Sequence, residues 1–327
     1  MARRPTNAEL QKLVNALAQL SKEPEWPEGD ALLASALASG SPHAQAKAAE
    51  LICEHRRPGH EAALLKAYTH AFKEPLKRDP GCRLKRAAAE ALDFLDHGDP
   101  ETFLQGVAHV QREGGFGEPE DTAGPLRARC GMALVRMRYA RVLEHLADLL
   151  CDDRVEVRIA GARAVAFHGD ERGIALLRMR LHFREKDADV IHETLKAYLE
   201  LDTAQGLVAA ERMMDGEPYE LEGALLALGE SHEPRAFELL QQLLERCTLE
   251  SDMHLASLAM GTQRSPQARQ MLLERVAEGS QVQAACALRG LALQAWHPEV
   301  KDAVRGAVQS NEEASLDHLL EQLFEEV

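Results

Sequence analysis

The chain has 327 residues, 45% of them apolar and only 4% aromatic, and carries a formal net charge of −15. Such an acidic chain is poorly suited to nucleic acid, which needs clustered Lys and Arg to displace phosphate counterions, and so few aromatics do not build an aromatic ligand cage. No run approaches the roughly 20 apolar residues of a membrane span, and Cys53, Cys82, Cys130, Cys151, Cys247 and Cys286 are too scattered for a zinc site or disulfide framework.

The N-terminal segment places Leu10, Leu13, Val14, Leu17 and Leu20 on one helical face, interrupted by Lys12, Asn15 and Gln19, which is not the apolar centre of a signal peptide. With the scattered cysteines, this makes the cytoplasm the expected compartment. Lys22 to Asp30, with Pro24, Trp26 and Pro27, reads as a linker, so residues 1–30 are an N-terminal helix plus linker and 31–327 the main body. Through that body an Ala-x-x-Ala-Leu-like pulse recurs at Ala133, Ala164, Ala197, Ala227, Ala259 and Gly290, at intervals of 30 to 33 residues, after wider-spaced copies at Glu50 and Ala91. Self-similarity at this period marks stacked helical units.

Each unit reads as two helices and a short turn. Helix pairs are predicted near 43–73, 80–113, 125–151, 154–185, 188–214, 218–247, 251–278 and 281–310. Asp79-Pro80 and Asp99-Pro100 combine an N-cap with a preset φ, and Gly98 and Gly169 are placed to supply left-handed helix ends. Pro recurs in phase at Pro234, Pro266 and Pro298. An acidic helix over 314–326, with Leu316, Leu319, Leu320 and Leu323 on one face, is suited to cap the last layer. The expected fold is therefore all-α, an α-solenoid of about eight antiparallel helix pairs with terminal capping helices.

Asp153, Val157, Arg158, Gly161, Ala164, Val165, Gly169 and Asp170, with a second copy in Asp79, Arg83, Ala88, Ala91, Leu92, Gly98 and Asp99, resemble the HEAT-repeat family in its short, phycocyanobilin lyase-like form. The resemblance spans roughly residues 40 to 310 and weakens later, where Thr203-Ala204 replaces the Gly-Asp turn and Gly290 replaces Ala. It implies a HEAT-like superhelix and a scaffold or adaptor role, with second helices lining a concave binding face. Within the same architecture, the di-iron hydroxylases use repeated His-Glu pairs. At the matching register, five residues before the repeat alanine, only His192-Glu193 has that form, and the equivalent His254 is followed by Leu255, so no metal is expected.

The Gly-rich stretch 111–125 is too long for a minimal turn and marks a functional or disordered loop, with Phe116 as its single large apolar contact candidate. On the second helix of the fourth repeat, Arg178 and His182 lie one turn apart beside the apolar set Ile174, Leu177 and Leu181, and are the first choice for a protein-binding face. Arg83, Lys85, Arg86, Arg129, Arg154 and Arg158 are candidates for an anion-binding ridge. His97, His168, His232 and His297 recur at first-helix ends, where a helix dipole favours them. No catalytic triad or phosphate loop occurs, so neither a catalytic residue nor a cofactor is assigned. Residues 1–186 carry 28 Lys and Arg against 27 Asp and Glu, whereas 187–327 carry 10 against 26. The expected function is a non-enzymatic protein-binding scaffold. The alternatives are a lyase-like or accessory subunit positioning a small molecule, and anion or nucleic-acid binding through the Arg ridge.

Overall fold

Short polar side chains and prolines open the helices in register. Ser41, Asp99 and Ser265 accept hydrogen bonds from the amides of Ala44, Glu101 and Ala268, and each is followed by a proline at the first helical position. Glu217 with Glu220, and Ser280 with Gln283, form reciprocal capping boxes. The computed structural model describes residues 6–114, 117–183 and 185–324. Among them are twenty α-helices and one two-stranded antiparallel hairpin. The fold is all-α and of the α-solenoid class, with helices packing against their neighbours in sequence-adjacent pairs.

The chain divides into two compact units, Met1–His168 and Gly169–Val327. The first contains α1 (Asn7–Leu20), α2 (Gly29–Ala38), α3 (Pro42–Glu54), α4 (Glu61–Ala71), α5 (Pro75–Arg78), α6 (Arg83–Phe94), α7 (Pro100–Val107), α8 (Gly124–Arg136), α9 (Val142–Leu150) and α10 (Val155–His168). Strands β1 (Arg112–Glu113) and β2 (Glu120–Asp121) lie between α7 and α8. Helices α3, α6, α8 and α10 stack in succession, and α1 covers α2 and α3. Leu17 and Leu20 of α1 are fully buried.

The second unit contains α11 (Gly173–His182), α12 (Ala188–Leu201), α13 (Thr203–Met213), α14 (Pro218–Glu230), α15 (Pro234–Arg246), α16 (Glu250–Thr262), α17 (Pro266–Glu278), α18 (Gln281–Ala292), α19 (Pro298–Ser310) and α20 (Asp317–Phe324). Here α12, α14, α16 and α18 stack in turn, while α20 packs on α18 and α19. The stack is tight at its glycines. A Cβ on Gly261 would collide with the Gly290 carbonyl oxygen, and one on Gly290 with that of Ser257. Gly290 in place of the repeat alanine is therefore what lets α16 and α18 touch backbone to backbone.

Three local expectations are corrected. The linker is shorter than predicted, because α2 already begins at Gly29. Helix α7 ends at Val107 rather than near 113, where the chain enters the hairpin. Gly98 is not left-handed. The left-handed residue after α6 is Asp96 (φ 55°), and Arg56, Arg138 and Arg264 take similar conformations elsewhere, whereas Gly169 (φ 70°) does so as expected. His97, just beyond the end of α6, also has side-chain partners. It is buried between α4 and α7, with Nδ1 2.6 Å from Glu61 Oε1 and Nε2 3.0 Å from Thr102 Oγ1.

Candidate binding site on the second helices

The basic residues of the first unit are mostly engaged inside the fold. Lys85 is fully buried, with its Nζ 2.9 Å from Asp79 Oδ2, and Asp79 in turn accepts the amides of Leu84 and Lys85 at the start of α6. Arg129 pairs with Glu90 at 2.8 Å, and Arg154 with Glu120 and Glu156 at 2.8 and 2.9 Å. Arg158 donates to the carbonyls of Asp152 and Asp153. Arg83 borders a cleft beside Lys47, and no ion pair of Arg83 or Arg86 is found among the described residues. The six residues thus do not form a common surface charge, because Lys85 is enclosed and three others already have anionic or carbonyl partners.

The Gly-rich stretch is tied down at its base, and Phe116 lies outside the described residues. Gln111 Nε2 donates to the Asp79 carbonyl (2.8 Å), and Glu113 accepts from the Gly81 amide (2.6 Å) and Thr122 Oγ1 (2.9 Å). Arg127 holds Asp121 at 2.7 Å and Asp152 through two donors, and donates to the His109 carbonyl. Burial alone would raise the Glu113 and Asp121 carboxyls. For Glu113 the Gln111 side chain, the Gly81 amide and Thr122 outweigh it, and for Asp121 the amides of Gln111 and Ala123 and the Arg127 guanidinium do so, holding both below the ordinary range.

Arg178 and His182 meet a different environment. Both line a cleft of about 110 Å³ between α11 and α13, together with Tyr198, Gln205, Val208 and Arg212. The one-turn spacing of Arg178 and His182 presents them from α11, and the three- and four-residue spacings of Gln205, Val208 and Arg212 do the same from α13. Among the described residues, neither Arg178 nor Arg212 pairs with a carboxylate. Val208 is 59% exposed, and Met179 and Phe183, adjoining Arg178 and His182 in sequence, are exposed as well. Tyr198 is the floor of the cleft, only 3% exposed, and its hydroxyl makes no hydrogen bond among the described residues. Burial raises the Tyr198 phenol above its ordinary range, against the pull of the Arg178 guanidinium and with Asp202 adding to the rise, so the hydroxyl remains a donor at neutral pH. The donor set of phenol, guanidinium groups and amide is suited to holding an oxyanion.

Sequence reading found the α11 half of this cleft and missed Tyr198, Gln205, Val208 and Arg212. The α13 stripe carried a usable signal in its helical spacing. Tyr198 did not, because its place beside the Ala197 pulse is that of an ordinary core residue.

Elsewhere in the second unit, Glu230 draws His192 to 3.5 Å and Lys196 to 2.5 Å. No group of three or more His, Cys, Asp and Glu side chains suited to a metal occurs among the described residues. Burial pushes the thiols of Cys82 and Cys130 up to about 12 and that of Cys53 to about 11, and all six cysteines are free. No helix of the described residues is long and apolar enough to cross a membrane.

The stacked helix pairs define the class of the chain as an all-α helical-repeat fold. No protein-family model matches it, and neither does any curated protein. It is similar in fold to the complex of CpcE and CpcF of phycocyanin lyase from Nostoc sp., with 16% identity, 74% of this chain and 92% of that one covered, and a TM-score of 0.37. Human deoxyhypusine hydroxylase, in complex with glycerol, shares 16% identity over 80% of this chain and 96% of its own, with a TM-score of 0.31. An engineered protein shares 17% identity over 84% of this chain and 80% of its own, with a TM-score of 0.35. At these levels the likeness concerns the helical-repeat fold alone.

Proposed function

We propose that this chain is a non-enzymatic scaffold or adaptor that holds a partner protein on the exposed face of α11 and α13. The observation that carries the reading is the pair of guanidinium groups, Arg178 and Arg212, which have no carboxylate partner among the described residues. They lie in a unit where 15 Lys and Arg face 29 Asp and Glu over residues 169–327. In so acidic a unit an arginine has many anions nearby in sequence, and two that find none among the described residues, beside exposed Val208, are placed for an external surface. Arginine and aromatic side chains are the residue types that anchor protein interfaces. The cleft is smaller than the roughly 300–1,000 Å³ of typical small-molecule sites.

The test is affinity capture with the wild-type chain and with Arg178→Glu/His182→Glu as baits. The expected outcome is an unchanged circular dichroism spectrum and a partner lost from, or several-fold depleted in, the variant capture. Equal recovery on both baits removes this face from consideration.

A second reading, a small molecule positioned by the chain, is favoured by one observation. A cleft of about 410 Å³ in the first unit, lined by Ser39, Gln45, His70 and Arg78 among others, has the volume of a ligand site. Native mass spectrometry and absorbance of the purified chain decide it, since a stoichiometric bound compound is required.

A further inference from the structure

We propose that residues 109–113 form a strap over the buried Lys85–Asp79 pair, and that this strap opens as a local unit while the helices around it stay folded. The inference concerns the first unit only and is independent of the scaffold reading.

Three observations converge. First, what lies beneath the strap is costly to enclose. Lys85 Nζ is fully buried and stands 2.9 Å from Asp79 Oδ2, yet among the described residues no acceptor meets it in hydrogen-bond geometry. A buried ammonium is well compensated only when its protons are bonded as well as its charge paired. The turn leading into α6 adds to the cost, because Gly81 (φ 74°) and Cys82 (φ 54°) are left-handed in succession and cysteine carries a Cβ penalty there.

Second, the strap lies directly on this pair. The His109 ring packs edge-on against Phe72 at 4.8 Å, and the Phe72 ring lies 5.5 Å from the Lys85 ammonium. Gln111 Nε2 donates to the Asp79 carbonyl at 2.8 Å, and Glu113 accepts the Gly81 amide at 2.6 Å, so the strap grips the turn that ends in Cys82.

Third, polar bonds rather than apolar burial keep it closed. Val110 is 56% exposed and Arg112 is exposed, whereas Glu113 Oε1 alone accepts from Gly81, Gln111 and Thr122. Segments held in this way open at lower free energy than the core they cover. Asp79 and Gly81 also line a cleft of about 430 Å³ bordered by Lys47 and Arg83. Opening of the strap adds the Lys85 ammonium to those two cations, so the cleft has a second form with one more positive charge.

The experiment is site-resolved alkylation of the full chain by iodoacetamide under native conditions, read by peptide mass spectrometry. Cys82 and Cys130 are matched for the comparison, since both are enclosed and burial raises both thiols to about 12, while exposed Cys151 gives the unprotected rate. Cys82 is expected to react at least about tenfold faster than Cys130, with a shallow dependence on low urea, whereas Cys130 follows the steep dependence of global unfolding. Glu113→Ala removes the acceptor of three donors and is expected to speed Cys82 by at least about tenfold while keeping its shallow urea dependence, and Gln111→Ala to act in the same direction. Equal rates with equal urea dependence at Cys82 and Cys130 in the wild-type chain, or an unchanged Cys82 rate in Glu113→Ala, overturn the proposal. The wild-type comparison needs no variant, so it decides the matter even where Glu113→Ala loses its circular dichroism.

Discussion

Lys85 shows how a single charge is accommodated in this fold. Its ammonium is fully buried beside Asp79, over the Phe72 ring at 5.5 Å, and Asp79 also accepts the Leu84 and Lys85 amides in the first turn of α6. Removing the anion leaves the cation enclosed without compensation, whereas removing the cation leaves Asp79 still bonded to two amides. Asp79→Ala is therefore expected to lower unfolding free energy by about 3 to 5 kcal/mol, and Lys85→Met by distinctly less. Urea denaturation of both variants checks the order. Sequence reading placed Lys85 with surface arginines because a basic residue in a run of Arg and Lys carries no mark of burial. Its partner lies six positions earlier, across a turn whose geometry depends on left-handed Gly81 and Cys82. For the same reason the left-handed residues Asp96 and Arg138 were not legible: tertiary packing places them there although glycine is the residue type that fits best.

At the scale of elements, the period of the alanine pulse was legible because each first helix must present small residues to the next, and α12, α14, α16 and α18 do stack this way. Gly261 and Gly290 carry that requirement to its limit. Gly261→Ala sets a methyl against backbone rather than a flexible side chain and is expected to cost about 1 to 3 kcal/mol by overpacking. Gly306→Ala, within α19 with no atom near its Cβ position, is expected to gain about 0.5 to 1 kcal/mol instead. Thermal unfolding of the two variants gives the contrast. The β1–β2 hairpin was not legible, since its strands have two residues each and are held by side chains rather than by a strand pattern. Its anchors make it pH-sensitive. Glu113 and Asp121 are depressed in the folded state, so their stabilisation is complete above the ordinary carboxylate range near about pH 4 and is lost as pH falls through the depressed values. Hydrogen-exchange protection of the Gln111 and Ala123 amides, corrected for intrinsic rates, is expected to hold down to about pH 4 and to fall below it, ahead of protection in α6. Parallel loss in both places contradicts this.

For the molecule as a whole, the construction from repeated helix pairs explains why the fold is readable in the sequence and the proposed binding face is not. Core positions repeat with the architecture, so periodicity reveals them. The proposed binding positions are exposed residues of α11 and α13, where many polar residues satisfy the fold, and only convergence in space distinguishes them. Arg178 and His182 are legible as polar residues one turn apart beside the apolar set Ile174, Leu177 and Leu181, while Arg212, some thirty residues onward, joins them only through the packing that forms the cleft. The central claim is that this convergence is a protein-binding surface. Its most direct test is quantitative capture of partners by the wild-type chain and by Arg178→Glu/His182→Glu at matched folded concentration. A stoichiometric partner retained by the first and lost by the second is the expected result, and a partner held equally by both contradicts the account.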